Sequence, residues 1–182
     1  MNLFFAVLLL ANCSHVASSF SAELSKGKIC SLTVGSKIQD LKHLDRSATA
    51  EKVMLEGEYY LKYAFKLEGC GVVKALLEGD NATVYRLETT STDLFTKEGA
   101  HVGMSLDKLR SIYPGGKLAF QWDGPGDALY SFIHPQLDGV FVFDASGIIN
   151  ECGSKHPNCE EYMSELRAVS FFTFRIDGVR VN

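Results

Sequence analysis

Five cysteines are the residues of this chain best placed for covalent chemistry: Cys13, Cys30, Cys70, Cys152 and Cys159. Cys13 sits just after an apolar N-terminal run, which leaves four in the body of the chain. In an exported protein an even set reads as disulfides, with three possible connectivities. A zinc site would use the same thiols, with His156 between Cys152 and Cys159, but no C-x2-C pair supports it. Ser105 and Lys108 stand at the S-x-x-K spacing of an acylating serine. The companion S-D-N and K-T-G motifs are absent, and Ser105 is better used as a helix N-cap. Ser170 has no G-x-S-x-G around it. His43, His101 and His134 form no i,i+4 pair, and Gly115, Gly116, Gly124 and Gly126 lack phosphate-loop spacing. These residues predict a protein that is not an enzyme and carries no cofactor or metal.

Binding chemistry is better represented. Aromatic residues crowd the strand-like segments, and most of them must form core. Tyr60, Trp122, Tyr130 and Phe132 lie where both strand parities are partly apolar, so some of them are expected to point outward. An outward Tyr/Trp-rich sheet face has the composition of a protein-binding patch. Lys155 and His156 form a second candidate, in the loop between Cys152 and Cys159. A disulfide across that loop would lower the ordering cost of binding.

The elements that position these residues are announced by a repeated phrase. Val34-Gly35-Ser36-Lys37-Ile38-Gln39-Asp40-Leu41 returns sixty-eight residues later as Val102-Gly103-Met104-Ser105-Leu106-Asp107-Lys108-Leu109. The same offset lays Leu61 on Leu129, Gly71 on Gly139 and Val72 on Val140. Each phrase reads as a strand, a glycine corner, a capping Ser36 or Ser105, and an amphipathic helix. Ile29 to Val34 reads as the strand before the first corner. Ile38, Leu41 and Leu44 mark the first helix; Leu106, Leu109, Ile112 and Tyr113 mark the second. Glu58 to Lys66 alternates with a period of two, the mark of a half-buried antiparallel strand. Val72–Leu77 and Thr83–Thr89 flank a turn, and further strands are expected at Lys117–Trp122, Leu129–His134, Gly139–Phe143 and Arg167–Ile176.

The predicted fold class is therefore α+β: two tandem helix-plus-antiparallel-sheet units, helices packed on one sheet face and stabilised by disulfides. The predicted divisions are a leader over residues 1–18, a first unit over 28–97, and a second over 98–182 with a disulfide-closed loop. Keeping each bridge within one unit selects Cys30–Cys70 and Cys152–Cys159. Residues Leu3 to Ala11 are apolar without interruption, too short to span a bilayer but suited to a secretory signal cleaved after Ser18 or Ser19. Leu10-Ala11-Asn12-Cys13 also approximates a lipobox, which would lipidate Cys13 and tether the chain to a membrane. Net charge is −4, and no Lys/Arg run appears, which argues against a nucleic-acid partner.

The run Val102-Gly103-Met104-Ser105, helix, Tyr113-Pro114, aromatic strand and Gly139-Val140-Phe141-Val142-Phe143-Asp144-Ala145-Ser146-Gly147-Ile148-Ile149 resembles a unit found in two exported groups. One is the β-lactamase inhibitor protein of actinomycetes, which has two tandem copies and a disulfide in each. The other is the small outer-membrane lipoprotein that assists β-barrel assembly. A looser likeness links the "Gly, apolar, Gly, helix" phrase to envelope-stress-regulated bacterial lipoproteins of unknown function. The matched positions are fold positions, so the resemblance implies architecture and carries across no contact residue. The expected function is an exported, non-catalytic binding protein for another envelope or secreted protein, inhibitor-like or assembly-like. The alternatives are a lipid-anchored structural envelope protein and an exported hydrolase.

Overall fold

Alternating segments of this chain pair into sheets because each apolar stripe needs another layer to rest on. The computed structural model describes residues 23–55, 57–78, 82–122, 128–137, 139–146, 163–164 and 166–174. Its elements begin with β1 (Glu23–Ser25), β2 (Lys28–Ile29), β3 (Leu32–Thr33) and α1 (Ile38–Leu41). A four-strand meander follows: β4 (Ala50–Leu55), β5 (Glu58–Leu67), β6 (Gly71–Glu78) and β7 (Thr83–Thr89). After β8 (Phe95–Thr96) and α2 (Leu106–Ile112) come β9 (Lys117–Trp122), β10 (Ala128–Ile133), β11 (Val140–Asp144) and β12 (Ala168–Phe174).

Eight strands form one antiparallel sheet in the order β4-β5-β6-β7-β12-β11-β10-β9. Register places Phe65, Val73, Thr89, Phe171, Phe141, Phe132 and Leu118 in a single row across seven of them. Phe65, Phe132, Phe141 and Phe171 are buried, so this row marks the core face. Burying each such ring contributes roughly 1.5–3 kcal/mol. A second sheet, ordered β3-β2-β1-β8 with β1 and β8 parallel, supplies Leu24, Ile29 and Leu32 to the same core. The Gly27 amide donates to Thr173 Oγ1 at 3.0 Å and ties this layer to β12.

This architecture corrects the expected α+β class. The two helices are four and seven residues long, bury mainly Ile38 with Leu41 and Leu106 with Leu109, and cannot roof an eight-stranded sheet. The described residues are mostly β, and the two expected tandem units do not form: strands from both halves of the chain share one eight-stranded sheet, with β7 paired to β12, and the small sheet does much of the covering. The strand expected over Ile29 to Val34 is also broken. Cys30 adopts a left-handed φ of 54°, which turns the chain between β2 and β3.

Both glycine corners are built alike. Gly35 and Gly103 have φ of 89° and 91°, a conformation in which a Cβ is strained. Gly35 N–H donates to Val84 O at 2.6 Å, and Gly103 N–H to Ala168 O at 2.8 Å. In return Val84 N–H donates to Ser36 O, and Ala168 N–H to Met104 O, at 2.9 and 3.0 Å. The serine caps do not form as expected. Lys37 occupies the N-cap of α1, and Ser105, at the N-cap of α2, makes no side-chain capping bond. Orphan helix amides find main-chain acceptors instead: Ile38 N–H reaches Ala82 O at 2.8 Å and Leu106 N–H reaches Leu166 O at 3.1 Å.

Candidate functional site

The face of the large sheet opposite the core holds a cluster created by a β-bulge. Opposite Leu76 and Leu77, β7 presents Arg86 and then Val84, so Tyr85 is the extra residue. An extra residue breaks strict alternation and re-aims side chains. Val84 and Leu87 enter the core. Tyr85 meets Tyr60 of β5 with ring centroids 5.4 Å apart, and the Arg86 guanidinium lies 4.6 Å from the Phe172 ring centroid. Phe174 follows on the same strand parity, 6.2 Å from Phe172 between centroids. A comparable register shift in β11–β12 leaves Val169 as the extra residue, exposed at 46%.

Charge on this face is unevenly paired. Glu88 is shared: Lys74 Nζ lies 3.7 Å from Oε1, and Arg86 Nη2 lies 3.4 Å from Oε2. Arg86 Nε is buried and meets no hydrogen-bond acceptor. Lys62 pairs with Glu51 at 3.0 Å at the sheet margin, while Lys66 is exposed. Tyr, Arg and Phe together, half-buried beside a rim of charge, match the make-up of protein-binding hot spots.

The residues expected to form the patch are dispersed by the structure. Tyr60 lies on the open face, with its hydroxyl donating to Glu58 Oε2 at 3.3 Å. Phe132 is fully buried and Tyr130 is 8% exposed, both on the core face, so neither offers an outward ring. The Tyr130 ring packs 5.1 Å from Phe120, and burial raises its hydroxyl pKa above the ordinary value. Gly116 passes so close to Phe132 that a Cβ there would meet its ring. Trp122 ends β9, its backbone paired with Ala128; its side chain lies outside the described residues. Lys155, His156, Cys152, Cys159 and Cys13 also lie outside them. Cys30 and Cys70 form the expected disulfide. Tyr85 and Arg86 were not singled out by residue pattern, because a bulge leaves no trace in alternation.

Other chemistry is satisfied internally. A cavity of about 130 Å³ between Leu24, Thr96, Glu98, Tyr113 and Phe171 is crossed by a hydroxyl chain. Tyr113 O–H donates to Glu98 Oε2 at 2.9 Å and lies 2.9 Å from Thr96 Oγ1, and the Tyr113 bond holds the Glu98 carboxyl below its usual pKa. Among the described residues, no three His, Cys, Asp or Glu side chains gather as metal ligands. No helix among them is long and apolar enough to cross a membrane.

No family model matches the chain, and no curated protein matches it. Among solved structures it is similar to an uncharacterized protein, YfeY, from Escherichia coli. The match has a TM-score of 0.53 at 13% identity and covers 79% of this chain and 93% of that one. At that identity the likeness concerns the fold alone.

Proposed function

We propose that this chain is an exported, non-catalytic protein whose task is to bind another envelope or secreted protein through the open face of its large sheet. The observation that carries the reading is the bulge-built cluster of Tyr60, Tyr85, Arg86 and Phe172 outside the core. Rigid aromatic rings and a guanidinium held on a sheet give large contact area at little ordering cost. Export is supported by the Cys30–Cys70 disulfide, since such bonds persist in oxidising compartments.

A photo-crosslinking amino acid placed at Tyr85, with the same group at exposed Lys108 of α2 as control, tests this in the native envelope. A discrete protein adduct from position 85 alone is the expected result. Equal labelling from both positions, or none from position 85, refutes it.

A further inference from the structure

Among the described side chains, the cluster around Arg86 holds two cations to one anion. Two cations, Lys74 and Arg86, lean on the single carboxylate of Glu88, at 3.7 and 3.4 Å. Neither distance is that of a tight charge-assisted hydrogen bond, which lies near 2.7–2.9 Å. Arg86 Nε is a buried donor without an acceptor among the described residues, and a buried polar group in that condition is costly. Its guanidinium rests on the Phe172 face instead, a contact that fixes its plane without using its N–H groups. Lys66, exposed on the same strand parity as Lys62, has Asp45 as its own anion, whose Oδ2 accepts the Lys66 amide at 2.8 Å, and so does not add to the imbalance. The imbalance is confined to Lys74, Arg86 and Glu88, two cations to one carboxylate among the described side chains, in a chain whose net charge is −4.

We infer that the partner element docking on this face carries a carboxylate side chain, Asp or Glu, that enters between Arg86 and Lys74. This rests on the binding reading given above and names the chemistry of its partner. A carboxylate matches the guanidinium fork geometrically and supplies the acceptor that Glu88, already shared, does not. Tyr60 and Tyr85 flank the entry, so residues beside that carboxylate are apolar or aromatic. The guanidinium swings out of its contact with Phe172 to meet the incoming group, and Nε then gains an acceptor.

The test uses a fluorescein-labelled ten-residue peptide alternating Glu and Phe, and its twin with every Glu replaced by Gln. Binding to the full chain is followed by anisotropy. The acidic peptide is expected to bind at least about tenfold more tightly than the amide twin, with the difference shrinking as salt is raised. Arg86→Met keeps an apolar stem over Phe172 and should abolish that preference; Lys74→Met should reduce it. Thermal melting of each variant separates lost binding from lost folding. Equal affinity for both peptides overturns the inference and leaves the binding role of the face standing. No binding of the acidic peptide, or a preference that survives in Arg86→Met, also overturns it. Failure of the position-85 crosslink would instead strike the functional reading itself.

Discussion

Replacing Cys30 and Cys70 together by alanine should cost the fold about 4 kcal/mol. The two cysteines are 40 residues apart in sequence, and loop-closure entropy for a ring of that size gives roughly that figure. The bridge joins the turn between β2 and β3 to the turn between β5 and β6, so its loss removes the covalent tie between the small sheet and the large one. Both sulfurs are buried, Cys30 at 7% and Cys70 at 2% exposure, so alanine is preferred to serine as the replacement. The left-handed φ of 54° at Cys30 supplies an internal control. A residue with a Cβ carries a strain of roughly 1–2 kcal/mol in that conformation, from which glycine is exempt. Cys30→Gly with Cys70→Ala should therefore be about 0.5–1 kcal/mol more stable than the double alanine, after allowing for the added unfolded-state entropy of glycine. Urea unfolding followed by tyrosine fluorescence measures both differences, and the alanine pair should melt roughly 8–16 °C lower. A loss under about 1 kcal/mol would show that the two layers stay docked without the tether, against the loop-entropy reasoning.

Four further outcomes follow from named contacts. Phe132→Ala should lose about 3–5 kcal/mol in chemical denaturation, whereas Tyr60→Ala on the other face should lose about 1 kcal/mol or less; similar losses would refute the assignment of faces. Gly103→Ala should cost about 1–2 kcal/mol through its φ of 91°. Gly139→Ala should cost more, because its Cβ would fall 2.4 Å from Phe171 Cζ and 2.5 Å from the immovable Phe172 carbonyl; the reverse order in urea midpoints would contradict this. Glu98 titrates low because Tyr113 O–H donates to it, so its contribution to stability is present above the ordinary carboxylate range and fades as pH falls through the lowered value. Tyr113→Phe should raise the Glu98 pKa, read by carboxyl carbon NMR, and flatten the acid limb of stability; an unmoved titration would remove the hydroxyl from the explanation.

Legibility in the sequence followed how local each signal was. Strict alternation over Glu58 to Lys66 gave β5 to within one residue, and the boundaries of β9 were readable outright. The segment Ala50–Leu55 reads Ala-Glu-Lys-Val-Met-Leu, good helix formers without a period of two. It becomes a strand because β5 offers a partner edge, a case of context overriding propensity. The first helix was expected to run to Leu44 but stops at Leu41, since the corner and not helix packing anchors it. Tyr130 and Phe132 were ambiguous because both parities of β10 are apolar in part; only pairing to Phe143 and Phe141 assigns them inward. Of the three connectivities open to four cysteines, the expected Cys30–Cys70 bridge is present, although the tandem units that selected it are not. The α+β expectation fails because the helices are short. A repeated corner announces a helix start but says nothing of how soon that helix ends.

Neighbouring rows of the same sheet differ in charge, and that difference supports the proposed binding role of the second face. The row of Phe65, Val73, Thr89, Phe171, Phe141 and Phe132 carries no charge, and a layer of the chain itself covers it. One residue along each strand, the row reads Ala64, Lys74, Glu88, Phe172 and Val140, and the next reads Lys62, Leu76, Arg86 and Phe174. Covering those rows with apolar chain would strand Lys74, Glu88 and Arg86 away from water at several kcal/mol per ion. A partner avoids that cost only by bringing matching charge with its apolar surface. The bulge sets the proposed site apart from the rest of that face. It sits where Gly35 takes the Val84 carbonyl, so a backbone event at the corner delivers Tyr85 and Arg86, consecutive residues, to one surface. In β12 the corresponding shift follows the Gly103 corner at Ala168, but the residues delivered are Val169 and Ser170. The two halves of the sheet thus share a backbone device and differ in what they present, which confines the charged aromatic cluster to the β5–β7 side and its neighbour β12.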